Sequence, residues 1–269
     1  MAPGISIRTI GIMKFYKYVG AETAKVIIQN STLKFTSPVN FNDPFDYFPA
    51  VKEEGLRKFT RRINDEIGGG VKRYKTNHRE TSKHLQSLRS GAFRDLYTRN
   101  MSISCFSKSP FILPMWAHYA DNHEGCVIEF EFKSDSPLVV EYFSLGIDEL
   151  SQILIPFDVS YSEDRPPLFD ENGRTDGPNT GFQACLTKAK EWEYEQEMRV
   201  VTKQPEGIYP FERSQMTGLY FGMKIDKQHK ADLSRIIDGS NNYTGTNIRK
   251  HDVVMAYDKF ALSKIQFRL

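Results

Sequence analysis

Aromatic and polar residues alternate along "KFYKYV" (Lys14–Val19), and that period of two predicts a first strand. In "AETAKVIIQN" (Ala21–Asn30) the period changes. Ala24, Ile27 and Ile28 fall at helical spacing, with Asn30 as a C-terminal stop. "TLKFTSP" (Thr32–Pro38) returns to strand, and "NFNDPFDYFP" follows as an aromatic loop turned by Asn42-Asp43-Pro44. From Glu53 to Arg99 the pattern is polar and helical, broken at Gly68-Gly69-Gly70, too short a break to separate domains. Strands are predicted at Ser102–Ser107 and Cys126–Phe132, flanking a short helix that begins near Pro114. Further strands are expected at "VVEYFSLG" (Val139–Gly146) and "FDVSYSE" (Phe157–Glu163), around a helix at Ile147–Leu154. Asp164–Gly181 carries Pro, Gly, Asn and Asp without apolar period and predicts a loop. Phe182–Gln196 predicts a helix running into a strand from Glu197. The tail predicts strand Gly218–Met223, helix Lys227–Gly239 and strands at Asp252–Tyr257 and Leu262–Leu269. Strands and helices alternate irregularly, which indicates an α+β fold: one domain over residues 1–269 with a mainly helical insertion at about 51–100.

Composition narrows the classes. A chain of 269 residues with 39% hydrophobic and 13% aromatic residues can bury a substantial core. Mean hydropathy is -0.49, and no apolar run approaches the ~20 residues of a spanning helix; no membrane association is expected. Three cysteines match neither a zinc nor a disulfide framework, so reduced thiols, a cytoplasmic setting and no structural metal are predicted. Net charge is only +2, but residues 51–100 hold 13 Lys/Arg against 6 Asp/Glu. Such a stretch is either a solvated helical face or a phosphate-contacting one.

Two stretches concentrate costly side chains. In "WEYEQEMRVV" (Trp192–Val201), a strand would put Glu195, Glu197 and Arg199 on one face, with the two carboxylates roughly 7 Å apart. Their repulsion on a half-open face predicts that one holds its proton more tightly, with Arg199 as counter-charge. In Ser102–Phe132 a hydroxyl-rich strand holding Ser104 and Ser107 precedes Trp116, His118, Tyr119, Asp121, Asn122 and His123. His118 and His123 are five apart, which rules out the H-E-x-x-H zinc pattern. "FNDPFD" adds Asn42 and Asp43, which either close an Asx turn or send a carboxylate into the same cleft. There is no GxGxxG after a strand, no GxxxxGK[ST], no GxSxG and no CxxC.

"YKY" (Tyr16–Tyr18), "FNDPFD" (Phe41–Asp46), "CFS" (Cys105–Ser107), "MWAHYADNHEGCVIEF" (Met115–Phe130), "WEYEQEMR" (Trp192–Arg199) and "LYFG" (Leu219–Gly222) together resemble an uncharacterised bacterial family, the domain of unknown function numbered 2971. More distantly, an aromatic first strand, the Ser-rich "SISCFS" and a late E-x-E are similar to ADP-ribosyltransferases. That resemblance implies a split β-sheet core with NAD as the bound substrate. Glu197 would be the catalytic carboxylate and Glu195 its partner toward the acceptor. Ser104 or Ser107 would shape the nicotinamide pocket, and Tyr16 or Tyr18 would stand in the first motif. The chain departs from the pattern there: the family's Arg or His is absent, and Lys17 alternates away from Tyr16 and Tyr18.

The expected function is ADP-ribosyl transfer to a protein or nucleic-acid acceptor, or NAD cleavage, as found among bacterial toxins and phage-defence effectors. Catalysis is assigned to Glu197 and Glu195. NAD contacts are assigned to Tyr16, Tyr18, Asn42, Asp43, Ser104, Ser107, Trp116, His118, Tyr119 and Arg199. Two other classes fit the pattern. A metal-dependent nuclease would cage Mg²⁺ with Asp43, Glu195 and Glu197. A non-catalytic interaction module would anchor a partner on the Trp116 loop.

Overall fold

The computed structural model describes residues 11–67, 78–91, 94, 98, 101–133, 152–175 and 177–265. In chain order the elements are β1 (Ile12–Val19), α1 (Ala21–Asn30), β2 (Thr32–Phe35), α2 (Glu53–Ile67), α3 (His78–Arg89), β3 (Ser102–Ser107), α4 (Leu113–Tyr119) and β4 (Cys126–Lys133). There follow β5 (Phe157–Asp158), β6 (Ser160–Ser162), α5 (Gly177–Cys185), β7 (Thr187–Ala189), a 3-10 turn (Lys190–Glu195), β8 (Glu197–Thr202), β9 (Gly207–Pro210), β10 (Met216–Phe221), α6 (Lys227–Thr244), β11 (Arg249–Met255) and β12 (Leu262–Lys264). The fold is α+β, as the irregular alternation predicts. Of the helical insertion, α2 and α3 are described. The Gly68–Gly70 break, the Val139–Gly146 strand and the start of the Ile147–Leu154 helix lie outside the described residues.

Eight strands form a mixed sheet in the order β12-β11-β10-β4-β1-β3-β8-β5, with β10 and β11 parallel and the other pairs antiparallel. β4 is central and buried on both faces: Val127, Ile128 and Phe130 are fully enclosed, and so is Glu129, which accepts from Lys14, Tyr220 and Arg249. On one face α1 and α6 bring Ile27, Ile28, Leu233 and Ile237 against Phe15, Ile128 and Phe130. On the other, α4 brings Met115 and Trp116 against Tyr16, Tyr18 and Val127.

The sheet divides between β1 and β3. β1 pairs with β4 along its whole length, from Ile12↔Lys133 to Val19↔Cys126. Against β3 it makes one pair, Tyr16↔Ser107. The strands diverge from that point, and the gap is spanned by side chains instead of a backbone ladder.

Three predicted elements differ. The helix expected at Phe182–Gln196 stops at Cys185, because the chain then pairs in parallel with β6 (Ser160↔Thr187) and closes through the 3-10 turn. Glu195 therefore ends that turn and is not a strand residue. Gln196, left-handed at φ 46°, swings the chain into β8. The loop expected at Asp164–Gly181 already contains the start of α5. At "DNHEG", Asp121, Asn122 and His123 are all left-handed (φ 46°, 51° and 74°), a costly turn for non-glycine residues. It is held against backbone at Gly125 and Gly222, where an added Cβ would fall 2.3 Å from the Val19 carbonyl oxygen and 2.2 Å from that of His123. The polar residues of that loop tip thus close the end of the sheet.

Candidate active site: a carboxylate cleft at the split of the sheet

A cavity of about 370 Å³ opens at the division between β1 and β3. β1 contributes Tyr16, Lys17 and Tyr18, β3 contributes Cys105 and Phe106, and α4 contributes Tyr119. The loop after β2 supplies Phe41, Asn42 and Asp46, while Lys188, Glu195 and Glu197 form the acidic end.

At that end lies a chain of buried charges. Lys188 Nζ donates to Glu195 Oε2 at 2.6 Å and to Glu197 Oε2 at 3.0 Å. Arg199 Nε donates to Glu197 Oε1 at 2.8 Å. The other edge of the guanidinium forks onto Asp46, with Nη1 donating to Oδ1 at 2.7 Å and Nη2 to Oδ2 at 2.9 Å. Tyr119 Oη donates to Glu195 Oε1 at 2.8 Å. None of the five charged side chains exceeds 4% exposure. Burying this many charges costs several kcal/mol per ion unless every partner is present, and here each carboxylate has at least one cation.

The electrostatics correct the expected proton sharing. Burial alone would raise the Glu197 carboxyl, but Arg199 and Lys188 outweigh it and hold it down at about 2. Glu197 is ionised throughout the physiological range. Burial raises the Asp46 carboxyl against the pull of Arg199. Both its oxygens accept from the guanidinium, the geometry of an ionised carboxylate. Burial and the charge of Glu195 push the Tyr119 phenol up, so it stays a donor. Burial lowers the Lys188 ammonium but its two carboxylates more than restore it, and its pKa lies above the ordinary value. Trp192, 4.7 Å from Lys188 Nζ to ring centroid, covers the ammonium and helps keep water out.

Glu195, Glu197, Tyr16, Tyr18, Asn42 and Tyr119 line the cavity. Arg199 stands behind it, fully buried, holding Glu197 and Asp46. Ser107 Oγ donates to the Glu195 carbonyl at 2.7 Å, and Ser104 Oγ accepts from Lys17 Nζ at 3.1 Å; both act through these partners and neither lines the cavity. Asp43 is buried in its own turn, accepting from the Phe45 amide at 2.9 Å. Trp116 is wholly buried in the core, donating to the Pro110 carbonyl at 2.8 Å. His118 is exposed, within 3.5 Å of the Tyr194 hydroxyl, and lies outside the cavity lining.

Three residues of the site escape the sequence argument. Asp46 closes the same "FNDPFD" that contributes Asn42, yet the turn signal points to Asp43. Lys188 stands in a stretch with helical pattern, and only the break at Cys185 turns it inward. Lys17 does alternate away from Tyr16 and Tyr18, but because the sheet is split there its side chain crosses the gap into the cavity.

Residues 115–200 match a protein family described as "Protein of unknown function (DUF2971)". The matched span contains the α4–β4 crossover and the Lys188–Glu195–Glu197–Arg199 cluster; "YKY", "FNDPFD", "CFS" and "LYFG" lie outside it. No curated protein and no solved structure matches the chain. Among the described residues no helix is long and apolar enough to cross a membrane, no group of three His, Cys, Asp or Glu is placed to hold a metal ion, and all three cysteines are free.

Proposed function

We propose that the cleft binds NAD and that Glu197 promotes cleavage of its nicotinamide–ribose bond, with the ADP-ribosyl group passing to water or to a protein or nucleic-acid acceptor. The observation that carries this is the ionised Glu197, buried yet lining a cavity walled by Phe41, Phe106 and three tyrosines. When the bond breaks, its electron pair leaves with the nicotinamide nitrogen, which becomes neutral and needs no proton. Positive charge grows on the ribose, and a fixed carboxylate there stabilises the transition state more than the ground state. In the cluster of Asp46, Arg199, Glu197, Lys188 and Glu195, three carboxylates face two cations, leaving a residual negative charge for a pyridinium ring or an oxocarbenium to meet. Glu195, fixed by Lys188 and Tyr119, is the second carboxylate, placed to orient the attacking group.

An ordinary O-glycoside hydrolase suits the site less well. It needs one carboxylic acid of raised pKa to protonate the leaving oxygen, and the best-placed carboxyl is lowered instead. The nuclease cage lacks its third member, since Asp43 bonds its own turn. An interaction module anchored on Trp116 lacks its anchor, which is wholly buried.

The test is thermal unfolding with millimolar NAD or NADH. A ligand at 100 times its Kd adds about 2.7 kcal/mol, a rise of several degrees. NAD is expected to raise Tm more than NADH, whose ring is uncharged, and Glu197→Gln is expected to erase the difference. Equal or absent shifts with both would count against the proposal.

A further inference from the structure

Lys17 lines the cleft but stands outside the carboxylate chain. Among the described residues it makes no ion pair, whereas Lys188 makes two. Its Nζ reaches across the division of the sheet to the Cys105 carbonyl at 2.8 Å and to Ser104 Oγ at 3.1 Å, and sits 5.1 Å from the centre of the Phe106 ring. Both of these acceptors, a hydroxyl and a carbonyl, are uncharged. They occupy two of the three terminal positions on Nζ and leave the third facing a cavity that Lys17 itself lines, where a neutral amine would present its lone pair. An ammonium at the same place would have no carboxylate within ion-pair distance among the described residues, only the Phe106 ring and the more distant Glu197.

From this geometry we infer that Lys17 is a nucleophilic amine that captures small aldehydes and ketones, open-chain sugars included, as imines within the cleft. Burial lowers its pKa, and the charges of Cys105 and Glu197 across the gap oppose that lowering. Burial and Glu197 keep the Cys105 thiol protonated, so Glu197 is the anion that matters. Desolvation of a lysine in this way is what makes imine-forming lysines reactive near neutral pH. In the step, the lone pair adds to the carbonyl carbon. One water then leaves with the carbonyl oxygen and both amine hydrogens, and a C=N bond remains. No oxidant or further reactant is consumed.

The test is glycolaldehyde with cyanoborohydride at pH 7.5, which reduces and fixes any imine, read by quantitative peptide mass spectrometry. Lys17 is expected to be modified at least tenfold faster than exposed Lys52 and Lys227, with a rate that levels off at lower pH than theirs. Lys17→Arg, which retains donors toward Ser104 and Cys105, is expected to fold and to lose that fast site alone. Modification of Lys17 no faster than Lys52, or none at all, overturns the inference. Because the probe is not NAD, either outcome leaves the role proposed for Glu197 to its own test.

Discussion

Replacing Lys188 by Met removes the cation between two buried carboxylates while keeping an unbranched side chain in place. The lost contacts are 2.6 Å and 3.0 Å long, each about 5–6 kcal/mol of gross attraction at an effective dielectric of ~20. Much of that is offset by no longer having to desolvate the ammonium. The variant can also relieve the repulsion by protonating one carboxyl, which sets a ceiling. For a group of ordinary pKa about 4.3, protonation costs about 4 kcal/mol at pH 7.5 and about 1 kcal/mol at pH 5. The expected loss is therefore about 3–4 kcal/mol at pH 7.5, a large part of a typical ~5–15 kcal/mol stability, shrinking to at most about 1 kcal/mol at pH 5. The sign follows from linkage: a carboxyl whose folded pKa rises loses stability as pH increases. Urea unfolding at both pH values measures it, and Lys188→Met/Glu195→Gln is expected to recover part of the loss at pH 7.5. A loss below about 1 kcal/mol at pH 7.5, or the same loss at both pH values, would refute the claim that Lys188 neutralises a buried carboxylate pair.

Two further outcomes follow from the same geometry. Glu197, held at about 2 against 4.5, contributes stability that is present above pH 4.5 and lost as pH falls toward 2. Glu197→Gln is expected to remove about 3 kcal/mol of acid sensitivity in that window, measured by urea unfolding at stepped pH. Trp116→Phe leaves the Pro110 carbonyl without its donor and is expected to cost about 1–3 kcal/mol. His118→Ala, at an exposed position, is expected to stay within about 0.5 kcal/mol of the parent. A reversal of that order in thermal melts would mean the histidine, not the tryptophan, organises the crossover.

Much of this molecule is visible in one-dimensional pattern. The alternation of Lys14–Val19, the Ala24/Ile27/Ile28 stripe and the apolar run from Cys126 each report a buried face that the fold does build. Glu195 and Glu197 also stand out as carboxylates among aromatics, and they meet in the cleft. What pattern does not report is which residues bring their charges there. Lys188 arrives through a parallel pairing with Ser160–Ser162, a contact across more than twenty residues that overrides local helical preference. Asp46 reaches Arg199 over 153 positions. Lys17 alternates onto the face of Phe15, and the single β1–β3 pair at Tyr16 leaves it room to reach Ser104 and Cys105. Trp116 carries the opposite lesson. A costly side chain beside polar ones marks the core wall behind the site, with the cavity formed by its neighbours Met115 and Tyr119.

The most direct measurement is nicotinamide release from NAD by the purified protein, with and without protein or nucleic-acid acceptors, beside a Glu197→Gln variant whose folding has been verified by its unfolding curve. Release by the parent protein is expected, with a 10²–10³-fold lower rate in the variant, the scale of losing one preorganised electrostatic contact to a transition state. No release under any acceptor condition, or equal release by parent and variant, would contradict it.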